Sequence, residues 1–168
     1  MQNNNDRLIR YVQDAHAAEV GIANMLEEAI SGANNLQVKS TLQEHLDVTR
    51  VQAQRLETRL HALGGDTSSG KSFLNSLMGK VSDLVNMGHD DYDKTTQDLI
   101  KGFATEHLEM GMYSSLESFA TACGDTETAS LARQLFAEEK QAAEKVFPLI
   151  AIVAAETHRA AASVPVTA

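Results

Sequence analysis

The sequence predicts an all-α protein of four long helices, paired as two hairpins with a long connection between the pairs. Three observations carry that prediction. Apolar residues recur at alternating spacings of three and four through four separate stretches. The 168 residues include only 2 prolines, 5% aromatics and no tryptophan, a composition that suits helices better than sheets. Turn-forming residues fall between the stretches, at Ser31 to Asn35, Gly64-Gly65 and Gly124.

The first helix is expected from about Asp6 to Ile30, capped by Asn5 or Asp6. Its inward stripe reads Leu8, Val12, Ala15, Glu19, Ile22, Leu26 and Ala29. After the short turn, a second helix from about Leu36 to Leu63 must return antiparallel. Its stripe reads Val38, Leu42, His45, Thr49, Gln52, Leu56 and Leu63, and Gly64-Gly65 ends it. The third helix is expected from about Asp91 to Ala122, with Leu99, Phe103, Glu106, Met110 and Tyr113 on its stripe and Glu109 flanking it. The fourth is capped by Asp125 or Thr126 and carries Leu131, Leu135, Glu139, Ala142, Val146, Leu149 and Val153. Pro148 should kink that helix or end its regular part. A chain of this length forms one domain with a sizeable core. That domain is placed at residues 6–158, with residues 1–5 and 159–168 as flexible termini.

The connection between the hairpins is about 25 residues long, unusual for a loop. It opens with Gly65 to Ser72, which matches the phosphate-binding pattern GxxxxGK[ST]. That pattern works only between a strand and a helix, and here a long amphipathic helix precedes it, so it reads as a Gly/Ser linker. A short extra helix is expected over Phe73 to Met87, then an acidic turn, His89 to Asp93, suited to the start of the third helix. Two helical hairpins joined by one long crossover define the ferritin-like four-helix bundle.

A net charge of -9 argues against nucleic acid and anionic membrane surfaces as partners, and favours cations. With Cys123 alone, no intrachain disulfide forms, which fits a reducing compartment. The N-terminus has no apolar signal core, and the longest apolar run, Leu149 to Ala155, is too short to span a bilayer. The expected location is cytoplasmic.

Polar residues interrupt every stripe at its middle. Glu19 lies about fourteen residues before the first turn and His45 about twelve after it, and antiparallel helices rise equally per residue. Glu109 and Glu139 stand about fifteen residues either side of Gly124, with Glu106 one turn away. Glu19, His45, Glu106, Glu109 and Glu139 therefore share one layer of the expected core. Four carboxylates bring four negative charges, and no Lys or Arg lies on the stripes to offset them. Two divalent cations would, with neutral His45 as a nitrogen ligand. Oxygen-rich ligands plus imidazole suit Fe(II) or Mn(II), two ions per chain. Glu109 or Glu106 is the expected bridge and His45 a terminal ligand. His16, Thr49, Gln52 and Tyr113 are candidates for the supporting shell. His107 points about 100° from Glu106 around the helix and is a weaker ligand candidate.

These residues resemble the YciF/YciE-like group of stress-associated ferritin-like proteins. Ala18-Glu19 is similar to the first motif of that family, Leu42 to Gln52 to its second, Glu106 to Tyr113 to its third, and Glu138-Glu139-Lys140 to its fourth. The resemblance implies a ferritin-like bundle, a homodimer, a di-metal centre and a link to the stress response. Ala143 stands where relatives carry an acid. Leu42 and Ala142 replace one acid and one histidine of the paired Glu-x-x-His motifs of wider ferritin-like proteins. The leading expectation is oxidation of Fe(II) with reduction of oxygen or peroxide, a ferroxidase- or peroxidase-like role in oxidative stress. The alternative is a non-enzymatic dimeric scaffold whose metal is structural or absent.

Overall fold

A computed structural model of the chain describes residues 3–67, 79 and 93–162. The described residues form the helices α1 (Asn4–Gly32), α2 (Leu36–Ala62), α3 (Lys94–Cys123) and α4 (Thr126–Ala162), and contain no strand. Most of the expected extra helix, the phosphate-loop-like stretch beyond Thr67 and the turn His89 to Tyr92 lie outside the described residues.

Local chemistry sets the helix ends. Asn3, not Asn5 or Asp6, caps α1, its side chain accepting from the Asn5 N–H at 3.3 Å. Asn35 caps α2 by accepting from the N–H groups of Gln37 and Val38 at 2.9 and 3.1 Å. Gly124 closes α3 at φ 77°, a left-handed conformation that glycine adopts without strain. Asp125 then caps α4 by accepting from the Thr128 N–H at 2.9 Å. Pro148 does not end α4, which continues to Ala162. The carbonyl that its missing N–H would have served belongs to Glu144, and both residues are exposed, so water can serve it.

The core consists of two apolar clusters. One joins Leu8, Val12 and Ala15 of α1 to Leu56 and Leu60 of α2, Tyr113, Leu116 and Ala120 of α3, and Ala132 and Leu135 of α4. The other joins Ile22 and Leu26, Val38, Leu42 and Leu46, Leu99, and Val146, Leu149 and Val153. Hence α1 and α4 start at the same pole, and α2 and α3 both start at the other and run in the same direction. The connection must return the chain from the pole where α2 ends to the pole where α3 begins, which is the ferritin-like crossover. Around the bundle α1 packs on α2 and α3, and α4 packs on α2 and α3.

Some stripe positions differ from the sequence reading. Phe103 and Met110 are half-buried at the outer edge of α3, where Phe103 packs at a tilt against Phe147 with ring centroids 5.1 Å apart. Thr105, Glu109 and Leu116 take the inward positions. On α2 Leu60 is buried and Leu63 is not, and on α4 Ala143 is more buried than Ala142. In each case two adjacent helical edges fit the same spacing, and only packing selects between them.

Two contacts lock the pole where α2 ends. Arg59 donates to Thr128 Oγ1 at 2.7 Å and to Asp125 Oδ2 at 2.6 Å, and also bonds Glu127. Gly65 lies against α1 and α2 so closely that an added Cβ would stand 2.6 Å from a Leu60 methyl and 2.8 Å from an Ile9 methyl.

Candidate metal centre

Between the two apolar clusters lies a polar layer to which every helix contributes. α1 supplies Glu19; α2 supplies His45, Thr49 and Gln52; α3 supplies Glu106 and Glu109; α4 supplies Glu139. All seven are buried, and the four acids are at most 1% exposed. Each acid sits where the inward spacing puts it, between an apolar residue of one pole and one of the other.

Three helices bring their side chains to one point. His45 Nε2 stands 3.4 Å from Glu106 Oε2 and 3.8 Å from Glu139 Oε2. One ligand atom from each of the three residues lies within 4.8 Å of the others, a spacing that a single cation could bridge. Glu19 is held from α3, its carboxylate accepting from the Tyr113 hydroxyl. Gln52 donates to Glu139 and, at 3.0 Å, to Glu138 Oε2. Arg55 fastens Glu138 with bonds of 2.8 and 3.0 Å and reaches Gln134 at 2.6 Å.

The electrostatics are those of uncompensated charge. Burial pushes the Glu109 carboxyl well above the ordinary carboxylate range, and Glu19, Glu139 and Glu106 push it further. Burial raises Glu106 as well, followed by the neighbouring Glu139 carboxyl and then the charge of Glu19. Glu19 is raised by burial and then by Glu139, against the lowering effect of the Tyr113 hydroxyl. The Tyr113 hydroxyl itself is pushed up by burial and by the charges of Glu19, Glu109 and Glu139.

The donor atoms pass a direct test of fit to a metal. Among the described residues, ten buried side-chain nitrogen and oxygen atoms have no hydrogen-bond partner, and all but Thr96 Oγ1 belong to this layer. They include both ring nitrogens of His45 and both oxygens of Glu106 and of Glu109. Buried polar atoms are rarely left so, and a concentration of carboxylate oxygens and imidazole nitrogens is the donor set of a hard-to-borderline divalent cation.

Two residues named from the sequence stand away from the layer. His107 is exposed, its Nδ1 lies 2.8 Å from the Phe103 carbonyl, and its ring packs on Phe103. The outward turn of Phe103 carries His107 with it, so His107 is not part of the centre. His16 is half-buried, and the charged groups facing it are Glu57 and His61 of α2. Burial and His61 lower its pKa, while Glu57 opposes them. The sequence reading gave Arg55 no part and named Glu138 only as a member of the fourth motif. Their signal was their position, Arg55 one turn from Gln52 and Glu138 beside Glu139.

Comparison with known proteins places the chain. The profile of the family described as "Domain of unknown function (DUF892)" matches residues 3–162. The chain belongs to the DUF892 family. Solved structures share the fold of this DUF892 protein. YcfI from Rhodopseudomonas palustris, described as a candidate structural protein, matches at 24% identity and TM-score 0.75, covering 86% of this chain and 93% of that one. The E. coli stress protein YciF matches at 18% identity and TM-score 0.77, covering 92% and 98%. A bacterioferritin-related protein from Bacteroides fragilis, described as a dodecameric thioferritin, matches at 17% and 0.70, covering 92% and 90%. The fold is therefore the ferritin-like bundle that YciF also adopts. No helix among the described residues is long and apolar enough to cross a membrane.

Proposed function

We propose that this DUF892 protein binds two Fe(II) or Mn(II) ions in the polar layer and couples them to oxidation by oxygen or peroxide. The observation that carries the reading is the set of orphaned donor atoms on Glu19, His45, Glu106 and Glu109, next to Glu139. Bound ferrous ions would supply the electrons; two of them, with two protons, reduce one peroxide to two waters. The chain's own residues do the rest. Glu19, Glu106, Glu109, Glu139 and His45 hold the cations. Tyr113 orients Glu19, and Gln52 orients Glu139. The apolar clusters close the layer off from the two poles of the bundle.

The cellular setting proposed is cytoplasmic, in an oxidative stress response, in keeping with the E. coli relative's description as a stress protein. A homodimer is proposed too, supported by the apolar outer seam of α3 and α4, where Phe147 is 61% exposed. The second reading is a non-enzymatic scaffold, favoured by the description of YcfI. Metal analysis of protein purified without chelator, followed by anaerobic Fe(II) addition and exposure to peroxide, separates them. Stoichiometric uptake with oxidation faster than in buffer supports the first. Uptake without faster oxidation favours the scaffold, and less than about 0.2 metal per chain with no uptake removes the metal centre altogether.

A further inference from the structure

The buried layer reaches the surface through a gap between α2 and α4. A cavity of about 90 Å³ lies there, with His45 at its floor, Ala142 and Val48 on its walls, and Glu44, Glu138 and Lys145 around its mouth. It has room for about three water molecules. His45 is 6% exposed, and neither ring nitrogen has a hydrogen-bond partner. Ala142 keeps the gap open, since an imidazole or larger side chain there would fill it.

We infer that this gap is the path by which a divalent cation reaches His45 and Glu139, with Glu138 as the stopping point on the way. The inference rests on the metal-centre reading and adds the direction of loading. Glu138 is one-third exposed, and the Gln52 amide contacts both it and the buried Glu139. The two carboxylates are therefore no more than two hydrogen-bond lengths apart, roughly 6 Å. A cation drawn to Glu138 needs one short step to meet Glu139 and His45. Arg55 grips Glu138 but does not line the gap, so it fixes the carboxylate without blocking the way.

A second opening also touches His45, from the side of α1 and α3. Its charged lining residues cancel, Lys94 and Lys101 against Glu28 and Asp98. At the α2–α4 gap Arg55 offsets Glu138 and Lys145 offsets Glu44, so what sets this gap apart is the short Glu138–Gln52–Glu139 step to the buried layer.

Rapid mixing of the metal-free protein with Co(II), followed by visible absorbance, tests the path. Ala142→Phe should slow uptake about tenfold while leaving the final Co(II) stoichiometry unchanged. Lys145→Glu should speed it roughly two- to fivefold at low salt, with the gain lost at high salt. Lys145 is exposed and among the described residues bonds Glu44 alone, at 2.8 Å, so this variant keeps the test alive if Ala142→Phe fails to fold. Wild-type uptake rates in both variants would overturn the path and direct attention to the α1–α3 opening. A wild-type protein that binds no Co(II) would instead overturn the metal centre itself, and with it the path.

Discussion

Replacing Glu109 by leucine should have opposite effects on the metal-free and metal-loaded protein. Glu109 is 1% exposed, neither carboxylate oxygen has a partner, and three other acids act on it. Burying such a group without compensation costs about 1–3 kcal/mol, which leucine removes. Taking about 2 kcal/mol, the metal-free variant should melt about 4–8 °C above the metal-free wild type, for a chain of this length. Loading reverses the order. A ligand at a thousandfold excess over its Kd adds about 4.1 kcal/mol to the folded state, and a variant lacking one ligand retains only part of that. The loaded wild type then exceeds the loaded variant when the variant keeps less than about half of that gain, and by at most about 2 kcal/mol, when it keeps none. Thermal melts of both proteins, with and without Mn(II) in excess, measure all four states. Two results would refute the reasoning: a metal-free variant less stable than wild type, or equal metal-induced shifts in the two proteins.

Three further outcomes are expected. In the metal-free protein, Glu19, Glu106 and Glu109 keep protons above the ordinary value of 4.5 at which the unfolded chain releases them. Their contribution to stability is therefore greatest at acid pH and is lost as pH rises through the raised native values. The metal-free melting temperature should fall from about pH 5 to about pH 8 while that of the loaded protein changes less; a rise over that window would contradict the assignment. Gly65→Ala should destabilise by about 1–3 kcal/mol, because its Cβ would collide with Leu60 and Ile9, and an unchanged denaturant midpoint would show that the pole gives way. Arg59→Ala should cost about 1–3 kcal/mol by leaving Asp125 and Thr128 without their guanidinium donor; urea titration with no shift would show that the α3–α4 turn holds without it.

The layout of the bundle was legible because helix periodicity and turn chemistry are local. The alternating spacing of Leu8, Val12, Ala15, Glu19 and Ile22 suits a helix with one inward face, and Gly124, followed by the capping residue Asp125, marks the end of one helix and the start of the next. The candidate layer was legible for a related reason: equal rise in antiparallel helices turns residue counts into heights, and burial of Glu19, His45, Glu106, Glu109 and Glu139 follows from their stripes. What escaped was rotation about each helix axis. The Phe103–Met110 edge and the Thr105–Glu109 edge of α3 fit the same spacing, and with Phe103 packed on Phe147 the second faces inward and His107 outward. Arg55 escaped for the same reason, since its long side chain reaches α4 from a position off the stripe.

Anomalous scattering at the iron edge, from crystals loaded with Fe(II), tests the metal centre most directly. The expected result is a peak between the two apolar clusters, with His45, Glu106 and Glu139 as its nearest neighbours. A layer without a peak, or peaks confined to surface carboxylates, would contradict it.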